Sequence, residues 1–297
     1  MPNNTSNDAF LEAASSGDLE KVKSLFDMDL SGKELKIRSQ EHKENIRQRL
    51  KAVNSDRKTA LMLAAENGFL NVINTLLDKG ADIDAKDNEG QTALMLYLFN
   101  HNKNIEILRA LLNRGADIEA KGAEDSTALM YAASFGYPYV IHILLDRGAN
   151  IEAKGTKDST ALMYAAKHGK VEAVNALLDR GANIEAKDNE GRTALTLAAK
   201  EGRADVIEVL LYEVDGINAQ DNKGKTALMI AAECEKLDVI VLLLNKGSGV
   251  DLDAKDNNGK TALSYLIKCQ DKVLKEHHKA PTILTDPSIK GSARERR

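Results

Sequence analysis

Tryptophan is absent from this 297-residue chain, aromatic residues make up only 4% of it, and there are four prolines and two cysteines. A core with so few large rings must be filled by small and branched aliphatic side chains, and the abundance of alanine and leucine favours packed helices. Cys234 and Cys269 have neither a metal-ligand spacing nor partners for a disulfide framework, so they read as two reduced thiols. No apolar run approaches the roughly 18 residues needed to cross a bilayer, and the polar start, Met1 to Asp8, lacks the layout of a signal peptide. A cytoplasmic location is expected. The formal net charge of −4 supplies no global attraction to phosphate backbones or anionic membranes, which disfavours nucleic acid as a partner. Catalytic signatures are missing too: the six histidines are scattered, and there is no paired-carboxylate pattern, nucleophile with its base, or glycine-rich phosphate loop. A non-enzyme without cofactor, metal or small-molecule substrate is expected.

What the chain has instead is repetition. Thr-Ala-Leu recurs at Thr59, Thr92, Thr127, Thr160, Thr193, Thr226 and Thr261, at intervals of 33, 35, 33, 33, 33 and 35 residues. Within the fourth copy, Thr160 is placed to cap a short helix whose apolar face is Leu162, Ala165 and Ala166. His168 and Gly169 break the pattern, then Val171, Val174, Leu177 and Leu178 recur at helical spacing before Gly181, which is suited to a left-handed C-cap. Ala182 to Asp188 leads on to the next threonine. One such pair of helices cannot bury enough surface alone, so neighbours must stack.

The period and the Thr-x-Leu-x-x-Ala pattern resemble the ankyrin-repeat family. The resemblance implies an all-α solenoid of stacked helix-turn-helix pairs with projecting hairpin loops. On that register residues 1–7 form a polar tail and 8–278 a single solenoid: a cap at 8–26, an inserted stretch at 27–54, repeats at 55–87, 88–121, 122–154, 155–187, 188–220 and 221–255, and a C-terminal cap at 256–278. Residues 279–297 read as a disordered tail. Methionine stands in for the family's histidine at Met62, Met95, Met130, Met163 and Met229, so apolar packing is expected to replace a side-chain hydrogen bond. Tyr97-Leu98 replaces a small Ala-Ala pair and should splay the second copy, where two extra residues fall around His101 to Asn104. Val214 occupies a C-cap glycine position, so Gly216 is expected to take over that turn.

The inserted stretch, Ser31 to Asn54, carries seven Lys or Arg against three Glu, with Ile46, Leu50 and Val53 at helical spacing. It reads as a basic amphipathic helix. Either it is a solvated face packed on the first repeats, or residues 31–54 dock nucleic acid or anionic lipid through Lys43, Arg47 and Arg49.

By resemblance, partners lie against the concave face made by hairpin tips and first helices, and the function implied is a protein-binding scaffold: adaptor, inhibitor, or an effector that a bacterium delivers into the host cytosol. A monomer with one protein partner is expected. Four residues past each threonine lie Leu63, Leu96, Tyr131, Tyr164, Leu197, Ile230 and Tyr265, and one turn further lie Asn67, Asn100, Phe135, His168, Glu201, Cys234 and Cys269. Aromatic anchors concentrate in the third and fourth copies, at Tyr131, Phe135, Tyr164 and His168. Asp125 and Asp158 replace the turn glycine of Gly90, Gly191, Gly224 and Gly259, and with Glu124 they make the middle tips acidic, whereas Arg192 and Lys225 make later tips basic. Asp125 to Ala133 and Asp158 to Ala166 are the same nine residues, so duplication and packing between repeats remain an alternative account of the paired tyrosines.

Overall fold

The computed structural model describes residues 4–27, 35–100, 104–247 and 249–267. Among them the regular structure is helical: α1 (Asn4–Ser16), α2 (Leu19–Asp27), α3 (Leu35–Leu50), α4 (Ala60–Asn67), α5 (Leu70–Asp78), α6 (Ala93–Phe99), α7 (Ile105–Asn113), α8 (Ala128–Phe135), α9 (Pro138–Asp146), α10 (Ala161–Lys167), α11 (Val171–Leu178), α12 (Ala194–Glu201), α13 (Ala204–Glu213), α14 (Ala227–Glu233) and α15 (Leu237–Lys246). Residues 262–267 open a further helix. A single antiparallel bridge, Val53 to Thr59, is the only strand-like pairing among the described residues. The all-α solenoid of helix pairs is what the chain forms.

Four repeats begin the same way for the same reason, whereas Thr92 and Thr127 Oγ1 are buried without a hydrogen-bond partner among the described residues. The first amides of a helix lack intrahelical acceptors, and the Thr Oγ1 accepts the amide of the third helical residue at 3.3 Å in Thr59, 3.4 Å in Thr160 and 3.4 Å in Thr226. The methionines do more than pack. The threonine amide donates to Met62 Sδ at 3.3 Å, Met130 Sδ at 3.5 Å and Met163 Sδ at 3.4 Å, so sulfur serves as a weak acceptor where purely apolar packing was expected. The first helices α4, α8 and α12 end on a left-handed glycine, as at Gly68 (φ 83°), a conformation that costs an L-residue about 1 to 2 kcal/mol; α6 ends at Asn100 instead.

Burial follows the pattern of each pair. Ala64, Ala65, Ala132, Ala133, Ala165 and Ala166 are inaccessible, which lets first helices lie close together, while Ile73, Leu76, Ile141 and Leu144 seal each pair from below. Burying one such aliphatic side chain contributes about 1.5 to 3 kcal/mol. Polar ties link neighbouring repeats: Arg114 to Asp78 and Arg180 to Asp146 at 2.5 Å, and the Asn150 and Asn183 amides to Glu119 and Glu152 at 2.8 and 2.7 Å.

Two compact units can be described, each by itself, Met1–Glu190 and Gly191–Arg297; a repeat array has no central core to gather all its elements. In the first unit, first helices α1, α4, α6, α8 and α10 pack in series, and in the second α12 packs on α14 and α13 on α15. Residues 4–7 belong to α1, so the tail read at 1–7 is mostly helix. The inserted helix stops at Leu50, and Val53 stands outside it, 45% exposed, because the bridge to Thr59 turns the chain. Tyr97 sits wholly within the core, its hydroxyl donating to the Asn104 carbonyl at 3.1 Å. In this copy α5 packs on α7 as well. Residues 101–103, the second helix expected beyond 267, and the tail 279–297 lie outside the described residues. After α13 the chain simply extends at Val214 (φ −89°, ψ 128°), so no left-handed residue is needed, and Gly216 does not supply one.

Candidate functional site

The hairpin tips come in two designs. At Asp87, Asp221 and Asp256 the carboxylate accepts amides two and four residues on, at 2.8 to 2.9 Å, and a left-handed glycine completes the turn. In copies three and four aspartate and glycine have exchanged places: Lys86-Asp87-Asn88-Glu89-Gly90 becomes Lys121-Gly122-Ala123-Glu124-Asp125. These tips close through Gly122 N to Ser126 O and Gly155 N to Ser159 O, both 3.0 Å, with two successive left-handed residues, Glu124 and Asp125 (φ 56° and 54°) or Lys157 and Asp158 (φ 60° and 59°).

The side chains beneath these tips, the methionine sulfurs first, account for the glycines. A Cβ on Gly122 would lie 2.6 Å from Met95 Sδ and 3.5 Å from the Tyr131 hydroxyl; on Gly155 it would lie 2.9 Å from Met130 Sδ and 3.2 Å from the Tyr164 hydroxyl. Both rings are therefore half-buried props beneath their own tips as well as surface groups. Ser126 Oγ donates to the Tyr164 hydroxyl at 3.4 Å. In the last copy Tyr265 donates to Asp256 at 2.5 Å, but Gly122 offers Tyr131 no such acceptor, and its hydroxyl carries no hydrogen bond among the described residues. Burial first, then the nearby Glu89, Glu124 and Asp87 carboxylates, push the Tyr131 phenol up to about 12.

Below the tips the aromatic residues form a connected group. Tyr131 stacks on Phe135 (centroids 6.4 Å, 19°), Phe135 meets Tyr137 at 5.8 Å, and Phe99 approaches Phe135 edge-on at 5.6 Å. Phe99 is 51% exposed and did not figure in the sequence rows, because it lies seven residues past its threonine, between the positions followed. The period of 3.6 places that position on the same face. His168 is exposed one turn beyond Tyr164. Elsewhere the inner row is core, since Leu96, Leu197, Ile230 and Tyr265 are buried, and only copies one, three and four keep it half open.

Charge at the tips is uneven. Glu124, Asp125 and Asp158 are exposed and form no ion pair among the described residues. The adjacent lysines are occupied: Lys86 donates to the Lys121 carbonyl at 2.8 Å, Lys121 to the Lys154 carbonyl at 3.0 Å, and Lys157 pairs with Glu190 at 2.6 Å. Arg192 and Lys225 lie in the second unit. Arg192 is half-buried, and Lys225 is 9% exposed, its ammonium 2.6 Å from Glu233 and 4.9 Å from the Tyr265 ring centre. Burial pulls the Lys225 ammonium down, but Glu233 and Tyr265 together outweigh it and leave the group above its ordinary range. It clamps a repeat where a free tip cation was expected.

The inserted helix offers fewer free cations than its sequence suggested. Arg49 is 8% exposed with Nη2 on Ser6 Oγ at 3.3 Å, Arg47 pairs with Glu44 at 3.3 Å, and of the three only Lys43 is exposed without a partner among the described residues. A groove of about 400 Å³ at the turns below α1 and α4 is lined by residues such as Gly17, Leu19, Phe69 and Asn104, with no titratable group among them. Among the described residues no cluster of metal-binding side chains occurs, and no helix is long and apolar enough to cross a membrane.

A family model for ankyrin repeats (3 copies) matches residues 2–122, 61–155, 129–221 and 214–277, which together run from 2 to 277 of the 297 residues. No curated protein matches the chain.

Proposed function

The chain belongs to the ankyrin-repeat family, whose repeats mediate protein–protein interaction, and from that premise we propose a non-enzymatic scaffold that holds a protein partner on the first helices and tips of copies two to four. Adaptor, inhibitor and effector are all roles such a scaffold can serve. The observation that carries the reading is the aromatic group around Phe135, with a ring as exposed as Phe99 at its edge. Rigid rings give large contact area for little rotamer entropy, and half-open clusters of them are where interface energy concentrates. Tyr131, Phe135, Tyr164 and His168 form the floor, with Glu124, Asp125 and Asp158 above. Docking of nucleic acid or lipid through residues 31–54 has less support, since Arg49 is buried and Arg47 paired.

Affinity capture with the intact chain and a Phe99→Ala, Phe135→Ala, His168→Ala variant tests the surface. The tyrosines stay in place because they prop the tips. The variant is expected to lose the partner that the intact chain recovers, by tenfold or more if about 1.4 kcal/mol or more of binding resides in those side chains. Equal recovery by a variant with an unchanged circular-dichroism spectrum removes the proposed surface.

A further inference from the structure

The tips over the aromatic group hold more acceptors than donors. Among the described residues Glu124 and Asp125 are exposed without ion pairs, and the Glu89 carboxylate meets the Gln91 amide nitrogen at 2.7 Å. Gln91 is 5% exposed and its side-chain Oε1 has no partner among the described residues. The Tyr131 hydroxyl is uncapped where its counterpart Tyr265 is held by Asp256, and the lysines that could neutralise the site donate to backbone carbonyls instead. One helical turn below, Phe135 and Phe99 present ring faces and edges without charge.

We propose that this surface takes a cationic amphipathic segment of a partner protein, with an arginine set among Glu89, Glu124 and Asp125 against Tyr131 and an apolar side chain, one helical turn away, on Phe135 and Phe99. The inference rests on the reading of this face as the contact surface and adds the chemistry of what it contacts. Charge complementarity excludes an acidic segment, since like charges brought together at an interface are costly. Arginine fits better than lysine. Its planar guanidinium is weakly hydrated, stacks on an aromatic face and can reach two carboxylates at once, whereas a lysine ammonium is a strongly hydrated point charge.

The test uses the full chain and three labelled helical peptides that carry leucine four residues from arginine, lysine or the neutral isostere citrulline. The arginine peptide is expected to bind about fivefold tighter than the lysine peptide, and tighter again than the citrulline peptide. Glu124→Gln with Asp125→Asn should remove the preference for arginine over citrulline while leaving citrulline binding unchanged. Phe135→Leu, which keeps an apolar side chain, should weaken all three. Equal binding of arginine and citrulline peptides, or no response to the double substitution in a protein with unchanged melting temperature, overturns the proposal. Loss of the captured partner in the Phe99, Phe135, His168 variant alongside indifference to arginine would retire only the cationic segment; indifference in both experiments would retire the surface itself.

Discussion

A phenol buried beside carboxylates has two reasons to keep its proton, and Tyr131 has both. Desolvation and the neighbouring Glu89, Glu124 and Asp87 push it up to about 12, and burial, then Tyr137, does the same for Tyr97. A group whose folded pKa exceeds its unfolded value of about 10 favours the fold while it stays protonated. That contribution is complete below pH 10 and is lost as pH rises through 12, because in that window the unfolded chain releases a proton that the folded chain retains. In an ultraviolet difference titration, Tyr97 and Tyr131 should be the last of the seven tyrosines to ionise, together with the fall in stability, behind Tyr137 and Tyr265, which burial also raises. Tyr131→Phe and Tyr97→Phe should each remove one phenol from that last step. A last step of unchanged amplitude after both substitutions contradicts the assignment.

Among the elements, the tips are where local rules are broken. Residues with φ near +60° are ordinarily glycine, yet copies three and four each place two other residues there, at about 1 to 2 kcal/mol apiece. Glu124→Gly is therefore expected to stabilise the chain by about 1 kcal/mol, read as a higher denaturant midpoint with unchanged slope, while weakening the arginine peptide. An unchanged or lower midpoint would mean that the turn is not strained. The exchange of aspartate and glycine was legible in the sequence as a difference in charge, but its cause was not. Only the position of Met95 and Met130 Sδ beneath Gly122 and Gly155, with the Tyr164 hydroxyl close beside the second, shows why a Cβ has no room there. Lys225 was expected as a free cation for a related reason: it stands just before the cap of α14 while its partner Glu233 lies at the far end of that helix, so no helical period announces the pair. Lys58 and Glu66 repeat the same contact at 2.8 Å in the first copy.

At the scale of the molecule, the fold was legible because most copies repeat one packing rule: threonine start, alanine pair, second-helix aliphatics, closing glycine. Division into two compact units was not, since the threonine register runs through Glu190 and Gly191 without interruption. An array in which each copy leans on its neighbours should lose stability locally rather than all at once. Ile141, inaccessible at the centre of α9, offers the test within the first unit. Ile141→Ala is expected to cost about 2 to 5 kcal/mol. Native-state hydrogen exchange should show that loss undiminished in α8, α9 and α11, which pack directly around it, and attenuated in α1 and α2, separated from it by the first and second copies. The same loss at every amide from α1 to α11 would instead mean that the first unit opens in one step.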